Sequence, residues 1–341
     1  MSQVSIAPTT VNESGRDPIL EVRGLRVYFS KESGLIIKKR SMVKAVDDIS
    51  FDIYPGEFVT IVGETGSGKT TVARCLMGLT KSHDCSIKYK GKEISDMGGK
   101  ERIEHWRRVQ MVFQDPYESL NPMQNVFKII STPMRLLTKE SNPAKLREKV
   151  ASLLAEVGLD ASEVMNRFPH QLSGGQRQRV NIARALAPGP ELLIADEPIT
   201  MLDAEQRLNI LFLLKELKQK RNLTVLMITH DLASAQISDR MLIMYLGKLV
   251  ETGPSRELVS APHHPYVELI MESAPNLNFD KTILNANPLA TDDNPVPEKG
   301  CVYQPRCKYA TRECSETTPK LEEFSKGRFV ACYNPLNTKA A

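Results

Sequence analysis

The eight residues Gly63-Glu64-Thr65-Gly66-Ser67-Gly68-Lys69-Thr70 restrict the fold of this chain more than any other stretch. They fit G-x-x-x-x-G-K-[ST] and directly follow the apolar run Val59-Thr60-Ile61-Val62. Such a loop needs a strand before it and a helix after it, which calls for an α/β sheet. The glycines let the backbone curl until its N–H groups point inward at phosphates. Lys69 is then placed to set its ammonium between two phosphates, and the Thr70 hydroxyl to ligate Mg²⁺. A helix expected to start at Thr71 adds the positive end of its dipole.

Other short apolar runs recur between helical stretches: Leu192-Leu193-Ile194-Ala195, Thr224 to Ile228, and Met241 to Tyr245. Continuous apolar strands that alternate with helices imply a buried parallel sheet. Strand structure is expected to begin at Leu20-Glu21-Val22, where apolar and polar residues alternate. The segment Lys31 to Lys44 sets Leu35-Ile36-Ile37 against Lys38-Lys39-Arg40 and reads as a hairpin excursion or a membrane-surface contact. From about Asn125 to Phe168 the pattern turns helical, with Leu146, Val150, Leu153, Leu154 and Val157 on one face and Gly158 as the stop.

These boundaries predict a flexible lead over 1–19, a nucleotide-binding domain over 20–270 and a helical subdomain over about 115–185. A linker rich in Asn, Asp and Pro follows over 271–299, and a small cysteine-rich extension over 300–341. The net charge of +4 is too weak to argue for nucleic acid, which is not expected as a partner. No run of about 18 apolar residues offers a membrane span, and Met1 to Pro18 lacks the apolar core of a signal peptide. The expected location is the cytoplasmic face of a membrane, reached by docking to other chains.

A phosphate loop alone leaves open kinases, GTPases, helicases and transport ATPases. In Leu193-Ile194-Ala195-Asp196-Glu197-Pro198 an apolar strand ends in two carboxylates. Asp196 is thereby offered to Mg²⁺ and Glu197 to an attacking water, a kind of base catalysis worth on the order of 10²–10⁴ in rate. The stretch Leu172-Ser173-Gly174-Gly175-Gln176-Arg177-Gln178-Arg179 then resembles, at every position, the signature of the ATP-binding-cassette family. Physically, Ser173, Gly174, Gly175 and Gln176 open a helix whose N-terminal N–H groups form a second anion site.

The resemblance implies a head-to-tail pair of cassettes in which each signature covers the partner's ATP. It also implies that Gln114, in Val112-Phe113-Gln114-Asp115, senses Mg²⁺ together with Thr70 and Asp196 and contacts membrane subunits. His230, in Thr229-His230-Asp231, is implied as the switch near the γ-phosphate, and Tyr28 as the ring that stacks on adenine, although core packing explains Tyr28 or Phe29 as well. Met201 departs from the family, standing in Ile199-Thr200-Met201-Leu202-Asp203 where a small residue is usual, and puts the symmetry of the two sites in doubt.

His263-His264-Pro265-Tyr266, followed by Gly300-Cys301-Val302-Tyr303-Gln304-Pro305-Arg306-Cys307, looks like the C-terminal extension of oligopeptide/dipeptide importer ATPases. The insertion ending Val43-Lys44-Ala45-Val46-Asp47 is more like the second of that branch's two ATPase subunits. The implied partners are a second, different cassette, two permeases and, indirectly, an external solute-binding protein. The cargo is a peptide, with oligosaccharide or nickel also open. The rival reading is a soluble cassette ATPase acting on DNA repair or ribosomes. Such proteins carry long coiled-coil insertions or two fused cassettes, and this chain has neither.

Cys301, Cys307, Cys314 and Cys332 crowd into the tail with gaps of five, six and seventeen residues. Four thiolates suit a [4Fe–4S] cluster or a zinc ion. The gaps lack the close pairs of zinc ribbons, and the resemblance favours the cluster. Disulfides or free thiols remain open. Cys75 and Cys85 read as core and loop residues.

Overall fold

The computed structural model describes residues 16–33, 39–273, 297 and 299–337. Residues 1–15 of the lead expected over 1–19, and most of the expected linker, 274–296, lie outside the described residues. The helix Pro265–Ser273 runs through the first three positions of that expected linker.

Among the described residues twelve strands follow in chain order: β1 (Leu20–Ser33), β2 (Lys39–Ile53), β3 (Phe58–Val62), β4 (Ser86–Tyr89), β5 (Lys92–Glu93), β6 (Val109–Val112), β7 (Leu192–Asp196), β8 (Thr224–Thr229), β9 (Arg240–Tyr245), β10 (Lys248–Pro254), β11 (Glu322–Ser325) and β12 (Arg328–Val330). They form two sheets, ordered β2-β1-β4-β5 and β11-β12-β10-β9-β3-β8-β7-β6. In the larger sheet β6, β7, β8, β3 and β9 run parallel. Every residue of β3, β7 and β8 is buried, which is why these strands are unbroken apolar runs. The smaller sheet is antiparallel, and β1 and β2 pair from Leu20↔Ile53 out to Ser33↔Lys39. The Lys31 to Lys44 segment is therefore the arm of a hairpin, with residues 34–38 outside the described residues.

The stretch expected to be helical is so. Helices Val126–Pro133, Pro143–Glu156, Ala161–Val164 and Gly174–Leu186 pack on one side of the larger sheet. Leu146, Val150, Leu153 and Leu154 are buried there, each such side chain stabilising the fold by about 1.5–3 kcal/mol. Asn142 starts that helix by accepting from the N–H groups of Ala144 and Lys145, and Gly158 at φ +72 follows its end. Pro133 lies inside its helix, where it can donate no N–H, and a π-turn over Met134–Thr138 follows.

The C-terminal residues continue the larger sheet. Strand β12 pairs with β10 and β11 pairs with β12, while Tyr245, Tyr266, Val302 and Tyr303 close a third core beneath them. Among the described residues no helix is long and apolar enough to cross a membrane.

Candidate active site

Four neighbouring parallel strands deliver the chemistry to one edge of the sheet. β3 runs into Gly63, β8 into His230, β7 into Asp196 and Glu197, and Gln114 stands two residues beyond β6. Registers Val62↔Thr229, Asp196↔Ile228 and Val112↔Ala195 bring these ends level. Carboxyl ends of parallel strands are where open α/β sheets bind ligands.

The loop of residues 63–68 is shaped by close approach. A Cβ on Gly63 would lie 2.2 Å from the Met244 carbonyl oxygen, and one on Gly68 would lie 2.0 Å from that of Ala45. Gly68 also takes φ +98 as N-cap, so the helix begins at Lys69 rather than at the expected Thr71. Lys69 is buried, and its Nζ donates to the carbonyls of Gly63 and Glu64, each at 2.8 Å. Burial pushes its pKa down, opposed by the carboxylates of Glu197 and Asp196. Thr65, Gly66 and Ser67 complete the loop, and the N–H of Gly247 donates to the Ser67 carbonyl at 3.0 Å.

The Thr70 hydroxyl donates to Asp196 Oδ1 at 3.2 Å, which joins two of the three expected Mg²⁺ ligands. Asp196 is buried, and burial raises its pKa with help from the Glu197 charge. These hard oxygens suit Mg²⁺. Gln114 is exposed, with Phe113 before it also exposed.

Glu197 and His230 are in direct contact, with His230 Nδ1 2.9 Å from one carboxylate oxygen and 3.1 Å from the other. Burial pushes the Glu197 carboxyl up, but hydrogen bonds from His230 and from Thr200 Oγ1, the latter at 2.6 Å, carry it below its ordinary value. The Glu197 hydrogen bond in turn raises His230. Glu197 adopts φ +48, left-handed backbone that a residue with a side chain takes up at a cost of about 1–3 kcal/mol. Its N–H donates to the Ile228 carbonyl at 2.9 Å, which carries the parallel pairing of β7 with β8 one residue past Asp196. Thr200 escaped the sequence reading, where its one signal was its place three residues after Glu197.

The signature lies on another element, at the start of the helix Gly174–Leu186. Ser173 caps that helix: the Gln176 N–H donates to Ser173 Oγ at 3.2 Å and the Ser173 N–H donates to Gln176 Oε1 at 3.0 Å. Gln176 thus has a capping task that its place in the signature did not announce. A Cβ on Gly175 would meet the Gln206 side-chain oxygen at 2.9 Å, so the signature lies against the helix that follows the Met201 turn. Met201 itself is exposed. Tyr28 donates to Asp47 Oδ1 at 2.8 Å and stacks on His83 at 5.7 Å, with Lys44 6.0 Å from the ring centre.

Residues 46–200 match the family model for ABC transporters, and residues 250–314 the model for the oligopeptide/dipeptide transporter C-terminal region. The oligopeptide transport ATP-binding protein AppF of Bacillus subtilis (strain 168) is 40% identical over 325 residues, covering 94% of this chain and 98% of that protein. The chain belongs to the ATP-binding subunits of ABC transporters.

As an ABC ATPase it has further relatives among dipeptide systems. The dipeptide transport ATP-binding protein DppF of Haemophilus influenzae is 36% identical, covering 93% of this chain and 97% of that protein. Among solved structures, the dimeric cassette MJ0796 in a post-hydrolysis state bound to ADP and Pi superposes with a TM-score of 0.62 at 27% identity. It covers 70% of this chain and 99% of that one.

The tail cysteines of this ABC ATPase are all free, as are Cys75 and Cys85. Cys301, Cys307, Cys314 and Cys332 line one small cavity together with Tyr303 and His264. Burial raises the Cys301 and Cys307 thiols and pushes Cys332 up to about 12, the neighbouring thiols adding to the shift. Among the described residues, however, no group of three or more His, Cys, Asp or Glu is arranged to hold a metal ion. The expected [4Fe–4S] or zinc set is therefore gathered around one cavity but not closed into a ligand shell. Cys75 is in the core as expected, and Cys85 lies in a loop beside Ser82.

Proposed function

We propose that this ABC ATPase energises a peptide importer, working as one of two cassettes docked on two permeases at the inner face of a membrane. The observation that carries the reading is the meeting of Thr70 with Asp196 and of Glu197 with His230 at the ends of four adjacent strands, with the signature on another element, the helix Gly174–Leu186. A second helix N-terminus with its own N–H groups suits a partner's nucleotide.

In this reading Lys69 and the loop N–H groups of residues 65–70 hold the phosphates of ATP, and Tyr28 meets the adenine. Thr70, Asp196 and Gln114 would hold Mg²⁺, which supplies charge that offsets the β- and γ-phosphates. Glu197, held ionised by His230 and Thr200, accepts a proton from the attacking water while His230 orients it. Ser173, Gly174, Gly175 and Gln176 close over the γ-phosphate of the partner cassette, so that closure depends on nucleotide bound between the two. Met201, exposed next to this surface, is the residue through which the two sites would differ.

A groove of about 410 Å³ opens beside Gln114, lined by Trp106, Phe113, Ile129, Leu136, Leu137 and Arg184. Phe113, Leu136, Tyr117 and Met123 around it are exposed apolar side chains. This groove receives a short helix of a permease, whose apolar face covers what the Pro133 break and π-turn leave open. The C-terminal match and the names of the relatives favour peptide over oligosaccharide or nickel as cargo, and no observation favours DNA repair or ribosome work.

The four tail thiols support a soft-metal group in the cavity that they line, a [4Fe–4S] cluster ahead of zinc. Anaerobically purified protein should then be brown with about four irons, by the stoichiometry of such a cluster. Colourless, metal-free protein that still assembles removes that part. For transport, the tagged chain should be recovered from detergent-solubilised membranes with two permeases and a second cassette. Recovery with ribosomal or DNA-associated proteins alone would overturn the importer reading.

A further inference from the structure

The phosphate-binding loop is held from outside by the C-terminal segment. Glu64, its second residue, is gripped at both its side chain and its backbone. Arg306 Nη1 lies 3.0 and 3.3 Å from the two Glu64 carboxylate oxygens, and Nη2 lies 3.3 Å from one of them. The Glu64 N–H donates to Tyr266 Oη at 3.1 Å, an outward direction that leaves the phosphates to the later N–H groups of the loop. Arg306 also donates to Tyr245 Oη at 3.2 Å, with its guanidinium 5.6 Å from the Tyr245 ring centre and 5.9 Å from that of Tyr303. The Tyr245, Tyr266 and Tyr303 rings pack on one another at 4.6–5.5 Å, so the guanidinium rests on a packed aromatic platform.

From this geometry we infer that Arg306 and Tyr266 are positioning residues of the nucleotide site, and that the C-terminal extension thereby sets the affinity of the loop for ATP. The inference rests on the reading of residues 63–70 as the ATP loop. Two physical effects point the same way. Three of the loop's first six residues are glycine and two more are Ser and Thr, so Glu64 is the one side chain among them able to make an ion pair. Fixing it orders the loop before the nucleotide arrives, and ordering that need not accompany binding adds to affinity. Arg306 also neutralises a carboxylate that would otherwise stand, unpaired, beside a polyanion. The pair is largely covered, with Arg306 at 15% and Glu64 at 26% side-chain exposure, so water screens it less than a surface pair. Arg306 sits on the turn Gln304–Arg306 between Cys301 and Cys307, and the state of the tail reaches the loop through that turn.

The test uses the purified full-length chain, with ATP as the probe in titration calorimetry, and the assembled transporter for steady-state ATPase kinetics. Arg306→Gln should raise both the ATP Kd and the KM about five- to thirtyfold, within the range of ordinary site-to-site couplings. kcat should stay within about twofold, because no group touching the reacting atoms has changed. Arg306→Lys should recover most of the loss by restoring the charge. Glu64→Gln with Arg306→Gln should weaken ATP no more than the stronger single change, since both break one contact. Glu64→Gln removes the charge facing the phosphates as well as the ion pair, so it should weaken ATP less than Arg306→Gln does. Where Arg306→Gln exposes the tail to trypsin, Tyr266→Phe decides, because it removes only the hydroxyl that holds the Glu64 N–H. An unchanged Kd in Arg306→Gln or in Tyr266→Phe with the tail protected, or an additive double variant, overturns the inference. Wild-type chain that binds no ATP would instead overturn the parent reading, and Lys69→Ala supplies that baseline.

Discussion

Replacing Arg328 with methionine should loosen the C-terminal extension without unfolding the parallel sheet. Glu251 on β10 is fully buried, and its carboxylate accepts from the N–H groups of His263 at 3.1 Å and His264 at 2.7 Å and from Arg328 at 2.8 Å. Arg328 also donates to the Ala261 carbonyl at 2.7 Å, so one pair ties β10, the 261–264 turn and β12 together. Burial raises the Glu251 carboxyl, against the pull of the two amides and the guanidinium. Removing the guanidinium strands a buried carboxylate, a change that costs about 3–5 kcal/mol. The Arg312–Glu316 pair is the internal contrast: its side chains are 91% and 56% exposed, and such pairs contribute at most about 1 kcal/mol.

Hydrogen exchange reads the difference directly, since about 1.4 kcal/mol is a factor of ten in local opening. Amides of β11, β12 and His264 should exchange roughly 10² to 10³ times faster in Arg328→Met and less than about tenfold faster in Arg312→Met. Amides of β3, β7 and β8 should hardly change. Glu251→Gln added to Arg328→Met should regain part of the protection, because no charge is then left buried. If Arg328→Met changes tail exchange by less than fivefold, the buried pair is not what holds the extension to the sheet.

Other consequences follow from single positions. Gly63→Ala places a methyl 2.2 Å from the Met244 carbonyl and should weaken ATP binding more than tenfold, as read by calorimetry; binding within twofold would mean that the loop yields freely. His264 is buried beside Tyr303 and Tyr266, and burial pushes its pKa down to about 3. An unfolded histidine titrates near 6.5, so the unfolded chain takes up the proton first. Tail stability is then full above about pH 6.5 and falls towards pH 3, by up to about 1.4 kcal/mol per unit. Tail exchange followed with pH should show this slope, and His264→Gln should flatten it; an equal slope in the variant assigns the acid sensitivity elsewhere. Leu136→Glu, on the exposed rim of the groove beside Gln114, should cut co-purification of permease at least tenfold, and full recovery would remove the groove from the docking surface.

What the sequence made legible tracks burial. β3, β7, β8 and β9 were readable because parallel strands covered on both faces become uninterrupted apolar runs. β10 was hidden because a buried charge, Glu251, breaks its run, and β11 because all four of its residues are exposed. The hairpin was readable from a charge pattern, the helical middle from its period. Lys69, Thr70, Asp196, Glu197 and His230 were named from motifs, and the sheet topology explains why distant motifs meet at one edge. Thr200 and Gln176 were obscured by their own motifs, where more familiar roles covered local hydrogen bonds. The grip of Arg306 on Glu64 spans 242 residues and part of the chain outside the described residues, and no local pattern announces it.

The most direct test of the account compares wild type with Glu197→Gln in a transporter reconstituted with its permeases, following ATP hydrolysis and uptake of labelled peptide together. Loss of the base should lower hydrolysis by roughly 10²–10⁴. ATP should still bind, the two cassettes should stay closed on it, and uptake should stop. Hydrolysis at the wild-type rate, or peptide uptake that persists without it, would contradict the claim that Glu197 drives transport from this site.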